Sequence, residues 1–162
     1  MKHTISILVE NEFGVLTRVA GLFSGRGFNI QSLTVAETLD PKISRMTIVT
    51  DGNEATLEQI NKQLNKLVNV IKVTDVTTEN PINRILTLIK VNINPKSKIE
   101  VIKTIELMGG EILDSDGKSV IVEFRGDEEK ILSAINLLKP HGIMDFVQTG
   151  NIAIQKCRKV VD

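Results

Sequence analysis

The sequence contains no tryptophan and no tyrosine, and aromatic residues make up only 3% of its 162 residues. RNA-binding sheets need exposed aromatic side chains on which bases stack, so this scarcity argues against such a platform. A single cysteine, Cys157, excludes an internal disulfide and a CxxC metal or redox pair. The two histidines, His3 and His141, have no partner at metal-ligand spacing, and we interpret both as surface residues.

Neither sign of charge is in excess, because 20 lysine and arginine residues balance 20 aspartate and glutamate residues. A chain without net charge has no strong long-range attraction for nucleic acid or for an anionic membrane. No apolar run approaches the roughly 20 residues that span a bilayer. The N-terminus enters a strand pattern at once, without the features of a signal or transit peptide. We therefore expect a cytoplasmic protein that binds neither nucleic acid nor membranes.

What the sequence does contain is a regular alternation of strand-like and helix-like periods. In the first half, strands are predicted over residues 4–9, 29–36, 44–50 and 68–74. One helix is predicted from residue 14 to the glycine at 25, and another over residues 55–67, where apolar residues recur every three or four positions. The order βαββαβ is that of the ferredoxin-like split βαβ unit.

The same order of elements recurs in the second half. Strands are predicted over residues 84–92, 111–114, 119–124, 143–148 and 152–154, and helices over residues 96–108 and 128–138. The sequence thus predicts an α+β protein with two tandem ferredoxin-like units, residues 1–77 and 84–162, joined by a linker at 78–83. Each unit is small for independent stability, and first strands rich in isoleucine, leucine and valine would leave adhesive edges if unpaired. We therefore expect a homodimer.

The junction of the first strand and the first helix is the strongest candidate for a ligand site. A helix N-terminus presents unpaired N–H groups and a partial positive charge, which suit a carboxylate. Gly14 has no Cβ and lets a ligand approach the backbone, and the amide of Asn11 suits a zwitterion with a carboxylate and an ammonium group. The alternative is an ordinary helix start, with Asn11 as a turn or cap residue.

A second candidate segment connects the first helix to the second strand and contains Asn29 and Ile30. Asn29 is either a turn residue or an amide offered to a ligand, and in a twofold dimer it could face the Asn11 loop of the other copy. The apolar residues Val15, Leu16 and Ile30 would favour an aliphatic ligand side chain. The alternative is that these three residues belong to the core.

The repeat provides an internal control for the first candidate. At the matching junction of the second unit, Pro95 removes an N–H group and no glycine opens the approach. After the next helix stands Glu111, which would repel a carboxylate. We therefore expect a small anionic metabolite to bind only in the first half. No nucleophile–base set, carboxylate pair or metal-ligand spacing is present, so no catalytic or metal-binding residues are predicted.

Several of these stretches resemble a known family. Residues 11–16, Asn-Glu-Phe-Gly-Val-Leu, and residues 27–30, Gly-Phe-Asn-Ile, resemble the ACT domain, an amino-acid-sensing βαββαβ module. Together with residues 29–36, 44–49 and 63–73, they look like the small, regulatory subunits of acetolactate synthase (acetohydroxyacid synthase). The resemblance covers the whole chain, and it is closest over the first unit.

The resemblance implies a protein that is not itself a catalyst and has no cofactor of its own. It implies binding to the large catalytic subunit, on which thiamine diphosphate, magnesium and FAD are expected. It also implies activation of that subunit and feedback inhibition by a branched-chain amino acid, usually valine, bound between the ACT units of a dimer. The effector-binding residues implied by position are Asn11, Gly14 and the backbone of Val15 and Leu16 from one subunit, and Asn29 and Ile30 from the other.

Two alternatives stay open. A free-standing ACT-type sensor would bind an amino acid and regulate another enzyme or a transcription factor, and it would not co-purify with a large thiamine-diphosphate enzyme. A small ferredoxin-like enzyme such as an acylphosphatase uses an arginine and an asparagine. Arg18 or Arg26 with Asn29 or Asn53 could supply this pair, although the phosphate-cradling loop is missing.

Overall fold

The structure, a computed structural model, describes residues 1–157. The chain folds into two compact units. The first contains Met1–Ile82 together with the tail that begins at Gly150, and the second contains Asn83–Thr149. The chain thus leaves the first unit inside the predicted linker at 78–83. Residues 158–162, the end of the predicted second domain, lie outside the described residues.

The first unit is a four-stranded antiparallel sheet with two helices. Its elements are β1 (Lys2–Glu10), α1 (Val15–Ser24), β2 (Ile30–Glu37), β3 (Ile43–Asp51), α2 (Glu54–Leu64) and β4 (Val70–Asp75), followed by a 3₁₀ turn at Thr77–Glu79. The strands lie in the order β2-β3-β1-β4, so β1 and β3 are central and β2 forms one edge. This arrangement matters for the site because β2, as the edge strand, pairs with only one strand of its sheet, β3.

Alternating burial in β1 builds the core of the first unit. Ile5, Ile7 and Val9 are at most 1% exposed, whereas the residues between them are partly exposed. Ile5 lies opposite Ile48 and Ile7 lies opposite Met46 on β3, so these side chains share one face of the sheet. The helices add Val15, Val19, Phe23, Ile60 and Leu64 to the same cluster. Their spacing of three or four residues places each set on one helix face.

The second unit repeats this arrangement. Its elements are β5 (Ile82–Asn92), α3 (Lys98–Leu107), β6 (Glu111–Ser115), β7 (Ser119–Gly126), α4 (Glu128–Leu138), a 3₁₀ turn at Lys139–His141 and β8 (Ile143–Gln148). The strand order is β6-β7-β5-β8. Ile89 on β5 lies opposite Val122 on β7, and both are fully buried with Phe124 under the helices. The predicted fold, α+β with βαββαβ twice, is confirmed.

The tail, expected in the second domain, has two assignments. Residues 150–157 group with the first unit in compactness, whereas their short strand, β9 (Ile152–Ile154), belongs to the sheet of β5. The Asn151 N–H donates to Ser32 Oγ at 2.9 Å. A Cβ on Gly150 would come within 2.4 Å of Thr34 Oγ1, so the tail backbone lies directly on β2. No local pattern reveals a contact between residues 119 positions apart.

Smaller differences also have physical reasons. Helix α2 ends at Leu64 rather than at residue 67, because the amides of Lys66 and Leu67 turn back to carbonyls only three residues earlier. The interpretation of His3 as a surface residue is wrong. His3 is 4% exposed, and one ring nitrogen, Nε2, lies 3.2 Å from the carbonyl oxygen of Gly52. Within the part of the chain that the structure describes, no helix is long and apolar enough to cross a membrane.

Candidate functional site

Gly14 is the N-cap of helix α1 and adopts a left-handed backbone with φ 82° and ψ −3°. Glycine reaches this region without the steric cost that a Cβ imposes on other residues. The Gly14 carbonyl accepts the first helical hydrogen bond from the Arg18 N–H at 3.0 Å. A Cβ built on Gly14 would meet nothing within 4 Å, so the space in front of the helix start is open.

The first turn of α1 also lacks the groups that usually neutralise a helix start. It carries no side-chain cap and no acidic residue, and its first amide, the Val15 N–H, donates to the Glu12 carbonyl at 3.4 Å. By contrast, Asn53 Oδ1 accepts from the Thr56 N–H at the start of α2, and Asp127 Oδ1 accepts from the Lys130 N–H at the start of α4. Because amide donors attract anions at a helix N-terminus, the start of α1 can hold a carboxylate.

The start of α3 differs from that of α1, and because its N-cap is Ser97, Pro95 precedes the helix rather than opening it as predicted. Asn94 Oδ1 accepts from the backbone N–H groups of Lys96 and Ser97, at 3.0 and 2.9 Å, and Glu100 lies in the first turn. Asn94 therefore already accepts from the amide donors that an incoming carboxylate would need, and Glu100 adds a negative charge that would repel it. Among the four α-helices within residues 1–157, α1 alone has no acidic residue in its first turn.

Asn11 is fixed beside this helix start by contacts with the β2–β3 connection. Its Nδ2 donates to Glu37 Oε1 at 3.0 Å and to the Pro41 carbonyl at 2.9 Å, and its backbone N–H donates to the Lys42 carbonyl at 2.7 Å. Both hydrogens of the side-chain amide are therefore used. The Oδ1 atom remains as an acceptor, which suits an ammonium group.

The predicted apolar residues divide into two kinds. Val15 is 3% exposed and belongs to the core, so only its backbone faces the junction. Leu16 is 44% exposed and offers its side chain at the surface. Phe13 and Leu39, which the sequence analysis did not single out, are fully exposed in the two loops that meet at Asn11. The surface around Asn11 and Gly14 is therefore partly apolar.

Asn29 and Ile30 lie at the other end of α1. This helix has 10 residues, which gives a length of about 15 Å. Asn29 is exposed, its carbonyl accepts from Thr50 Oγ1 at 2.6 Å, and Ile30 is half-buried against the core. A small amino acid cannot reach from Gly14 to Asn29 within one copy. The six predicted effector residues thus form two groups that one protomer does not bring together.

Other polar candidates have structural roles. Arg18 donates to Asn69 Oδ1, and Asn69 Nδ2 donates to Glu10 Oε2 at 2.7 Å and to Glu12 Oε2 at 3.2 Å. This network joins the loop before α1 to the loop before β4, and nothing in the local sequence around Asn69 indicates it. Of the residues named for the acylphosphatase alternative, Asn53 caps α2 and Arg18 is held by Asn69, so both already have structural partners.

Metal binding has no visible basis in this region. Within residues 1–157, no group of three or more histidine, cysteine, aspartate or glutamate side chains is placed to hold a metal ion. The groups that the junction offers are suited to recognition by hydrogen bonds and charge: backbone donors at the start of α1 and an acceptor, Oδ1, on Asn11.

Comparison with known proteins decides the family. Residues 5–72 match the family described as "AHAS small subunit-like ACT domain", and residues 84–157 match the family described as "Small subunit of acetolactate synthase". The chain belongs to the acetolactate synthase small subunit family. A probable acetolactate synthase small subunit from Archaeoglobus fulgidus is 45% identical to it over 159 residues, which covers 98% of this chain and 99% of that protein.

Two further members of the small subunit family agree with this assignment. The acetolactate synthase small subunit of Mycolicibacterium smegmatis is 42% identical over 95% of this chain and 91% of its own length. The crystal structure of the acetolactate synthase small subunit from Thermotoga maritima superposes with a TM-score of 0.90 at 39% identity, covering 98% of this chain and 99% of that chain. The resemblance inferred from the sequence is confirmed for both units.

Proposed function

We propose that the chain is the non-catalytic regulatory subunit of an acetolactate synthase. It activates the large catalytic subunit and makes that subunit sensitive to feedback inhibition by valine. The observation that carries the effector part of the proposal is the start of α1, where a glycine in front of open space precedes a first turn without a capping or acidic side chain. Membership in the small subunit family supports the regulatory part.

Valine fits the polar groups of this junction. Its carboxylate accepts from the backbone N–H groups next to Gly14, where the helix dipole favours negative charge. Its ammonium group donates to Asn11 Oδ1, and Glu37, 3.0 Å from Asn11 Nδ2, adds negative charge on that side. Leu16 supplies aliphatic contact for the isopropyl group. A feedback effector that responds to metabolite levels needs a Kd of about micromolar to millimolar, or about −8 to −4 kcal/mol.

The position of β2 supports a site that two copies share. β2 is an edge strand, and its last residue, Glu37, is bonded to Asn11. If β2 pairs antiparallel with β2 of a second copy, the start of the second strand lies beside the end of the first. Asn29 and Ile30 of one copy then lie next to Asn11 and Gly14 of the other. A homodimer formed in this way completes the site that one protomer divides.

Regulation then follows from differential binding. A ligand held by two copies favours one arrangement of those copies over others. If the catalytic subunit prefers a different arrangement, valine reduces activation in proportion to its differential affinity for the two states. The chain supplies no reacting group in this scheme. Thiamine diphosphate, magnesium and FAD belong to the large subunit, and we place both subunits in the cytoplasm.

The decisive experiment is calorimetric titration of the full chain with valine, leucine and isoleucine, with the oligomeric state measured by sedimentation at the same concentrations. We expect one valine to bind per protomer, and we expect sedimentation to show a dimer. Activation is measured by adding the chain to the large subunit from the same organism. A chain that binds valine but neither activates nor co-purifies with that subunit would instead be a free-standing ACT-type sensor.

A further inference from the structure

A groove between α1 and α2 in the first unit is not used by the proposed effector site. It has a volume of about 630 Å³. Three cationic side chains, Arg18, Arg26 and Lys66, line it together with the half-buried Leu22 and Leu67. We call this surface, defined by these five residues, the basic groove.

The groove exists because α1 has no side chains along part of the wall. Gly21 and Gly25 lie one helical turn apart and both line the groove. A Cβ on Gly21 would meet nothing within 4 Å, so the space beside it is open. Glycine inside a helix is destabilising by about 1 kcal/mol relative to alanine, so its presence there needs a compensating reason such as room for a partner.

The charges of Arg26 and Lys66 are not balanced within the basic groove. None of its lining residues is acidic. Arg18 donates to Asn69, but the side chains of Arg26 and Lys66 make no hydrogen bond or ion pair with any residue in 1–157. These two residues follow the C-terminal ends of α1 and α2, where cations commonly bond to the last carbonyls, and here they do not. Their donors are therefore available to an anionic partner.

The spacing of the cations favours an extended partner over a single small anion. Arg18 lies in the first turn of α1 and Arg26 follows its last residue, Ser24, so the backbones of the two cations stand near opposite ends of a helix about 15 Å long. An extended peptide covers such a distance with about four or five residues, at about 3.3 Å each, and suits this spread of charge better than one small anion does. The apolar Leu22 and Leu67 between the charges favour a segment that also carries apolar side chains. Nucleic acid is disfavoured because the chain has a net charge of +0.

We propose that the basic groove is the docking surface for an acidic, partly apolar segment of the large catalytic subunit. This inference rests on the proposed function, because it names the surface through which activation is delivered. The groove recognises the segment by charge complementarity at Arg26 and Lys66 and by apolar contact at Leu22 and Leu67. The start of α1 stays open for the effector while the segment is bound.

The test uses charge reversal in the full chain. We expect the double variant Arg26→Glu/Lys66→Glu to raise the small subunit concentration for half-maximal activation at least tenfold, and the neutral Arg26→Gln/Lys66→Gln variant to do so by less. The matched control, Lys98→Glu/Lys103→Glu, changes the charge equally at exposed positions of α3 and should leave activation unchanged. Valine binding by the isolated variants, measured by calorimetry, verifies that the first unit is folded.

The outcomes separate the two proposals. If the wild-type chain activates and the groove variants activate at the same concentration, the docking surface is wrong and the proposed function stands. If the wild-type chain does not activate the large subunit, the proposed function is wrong, and the docking surface proposed from it is wrong as well. Carbodiimide cross-linking adds an independent readout: Lys66 should couple to an aspartate or glutamate of the large subunit. A complex that is cross-linked through other lysines of the chain but not through Lys66 would overturn the inference.

Discussion

Replacing Gly14 with aspartate tests the effector site most directly. The substitution puts a fixed negative charge at the start of α1, where the valine carboxylate is proposed to bind. The open space in front of Gly14 accommodates the new side chain, because a Cβ there meets nothing within 4 Å. Aspartate is also among the residues that tolerate the left-handed backbone of this position, with φ 82°. We therefore expect the variant to fold and to activate the catalytic subunit.

The size of the effect follows from Coulomb's law. Two unit charges about 4 Å apart repel by about 1 kcal/mol in bulk water and by about 4 kcal/mol at an effective dielectric constant near 20. The site is at the surface but bounded by protein, so the repulsion lies between these limits. The Kd for valine should rise by about 5-fold to about 1,000-fold. The cost of the left-handed backbone is about 1 kcal/mol of folding free energy.

The matched control is Gly14→Asn, which has the same shape and the same tolerance for the left-handed region but no charge. Calorimetry should show a large loss of valine affinity for the aspartate variant and a small one for the asparagine variant. The reconstituted enzyme should keep full activation with both. The charge argument is refuted if the two variants lose affinity equally, and the site itself is refuted if valine inhibits the aspartate enzyme as it does the wild type.

Three further changes give independent tests. Glu37→Ala removes a hydrogen-bond acceptor of Asn11 and should weaken valine binding by about tenfold. Glu37→Gln keeps an acceptor oxygen and most of that hydrogen bond, so it should weaken binding less; calorimetry measures both Kd values. Gly110→Ala would place a Cβ 2.6 Å from the Phe124 ring and should lower the free energy of unfolding by about 1–3 kcal/mol in urea, whereas Gly21→Ala, in open space, should raise it by up to about 1 kcal/mol. Hydrogen bonds from two backbone amides hold the pKa of Asp116 below its ordinary value of 3.8. Its contribution to stability is therefore complete above that pH and is lost as the pH falls towards the folded value, so Asp116→Asn should flatten the decline in urea stability below about pH 4.

Most of the fold could be predicted because local patterns agree with it. Helix α4 and strands β8 and β9 have the predicted bounds. For α4 the reason is plain, because Asp127 caps its start and apolar residues recur on one face until Leu138. The same local reasoning placed the remaining strands and helices within a few residues. It could not predict the contact of the tail with β2, because the hydrogen bond between them joins Asn151 to Ser32, 119 positions away in the chain.

The candidate site was predictable only in part. The open start of α1 follows from Gly14 and from the absence of an acidic residue in the next turn, and both are visible in the sequence. The contacts that orient Asn11 involve Glu37 and Pro41, 26 and 30 positions away, so only the folded chain reveals which atom of its amide is left for a ligand. Val15 likewise satisfied the apolar pattern of a ligand pocket, although its side chain is buried in the core.

The contact of the tail with β2 affects how a fragment of the first unit should be designed. A fragment that stops after Thr77 looks complete by its strand count, yet it lacks the backbone that lies on Ser32 and Thr34. Such a fragment would expose a strip of its sheet that the intact chain keeps covered. A fragment meant to keep the native surroundings of the first unit therefore needs residues 1–82 together with residues 150–157.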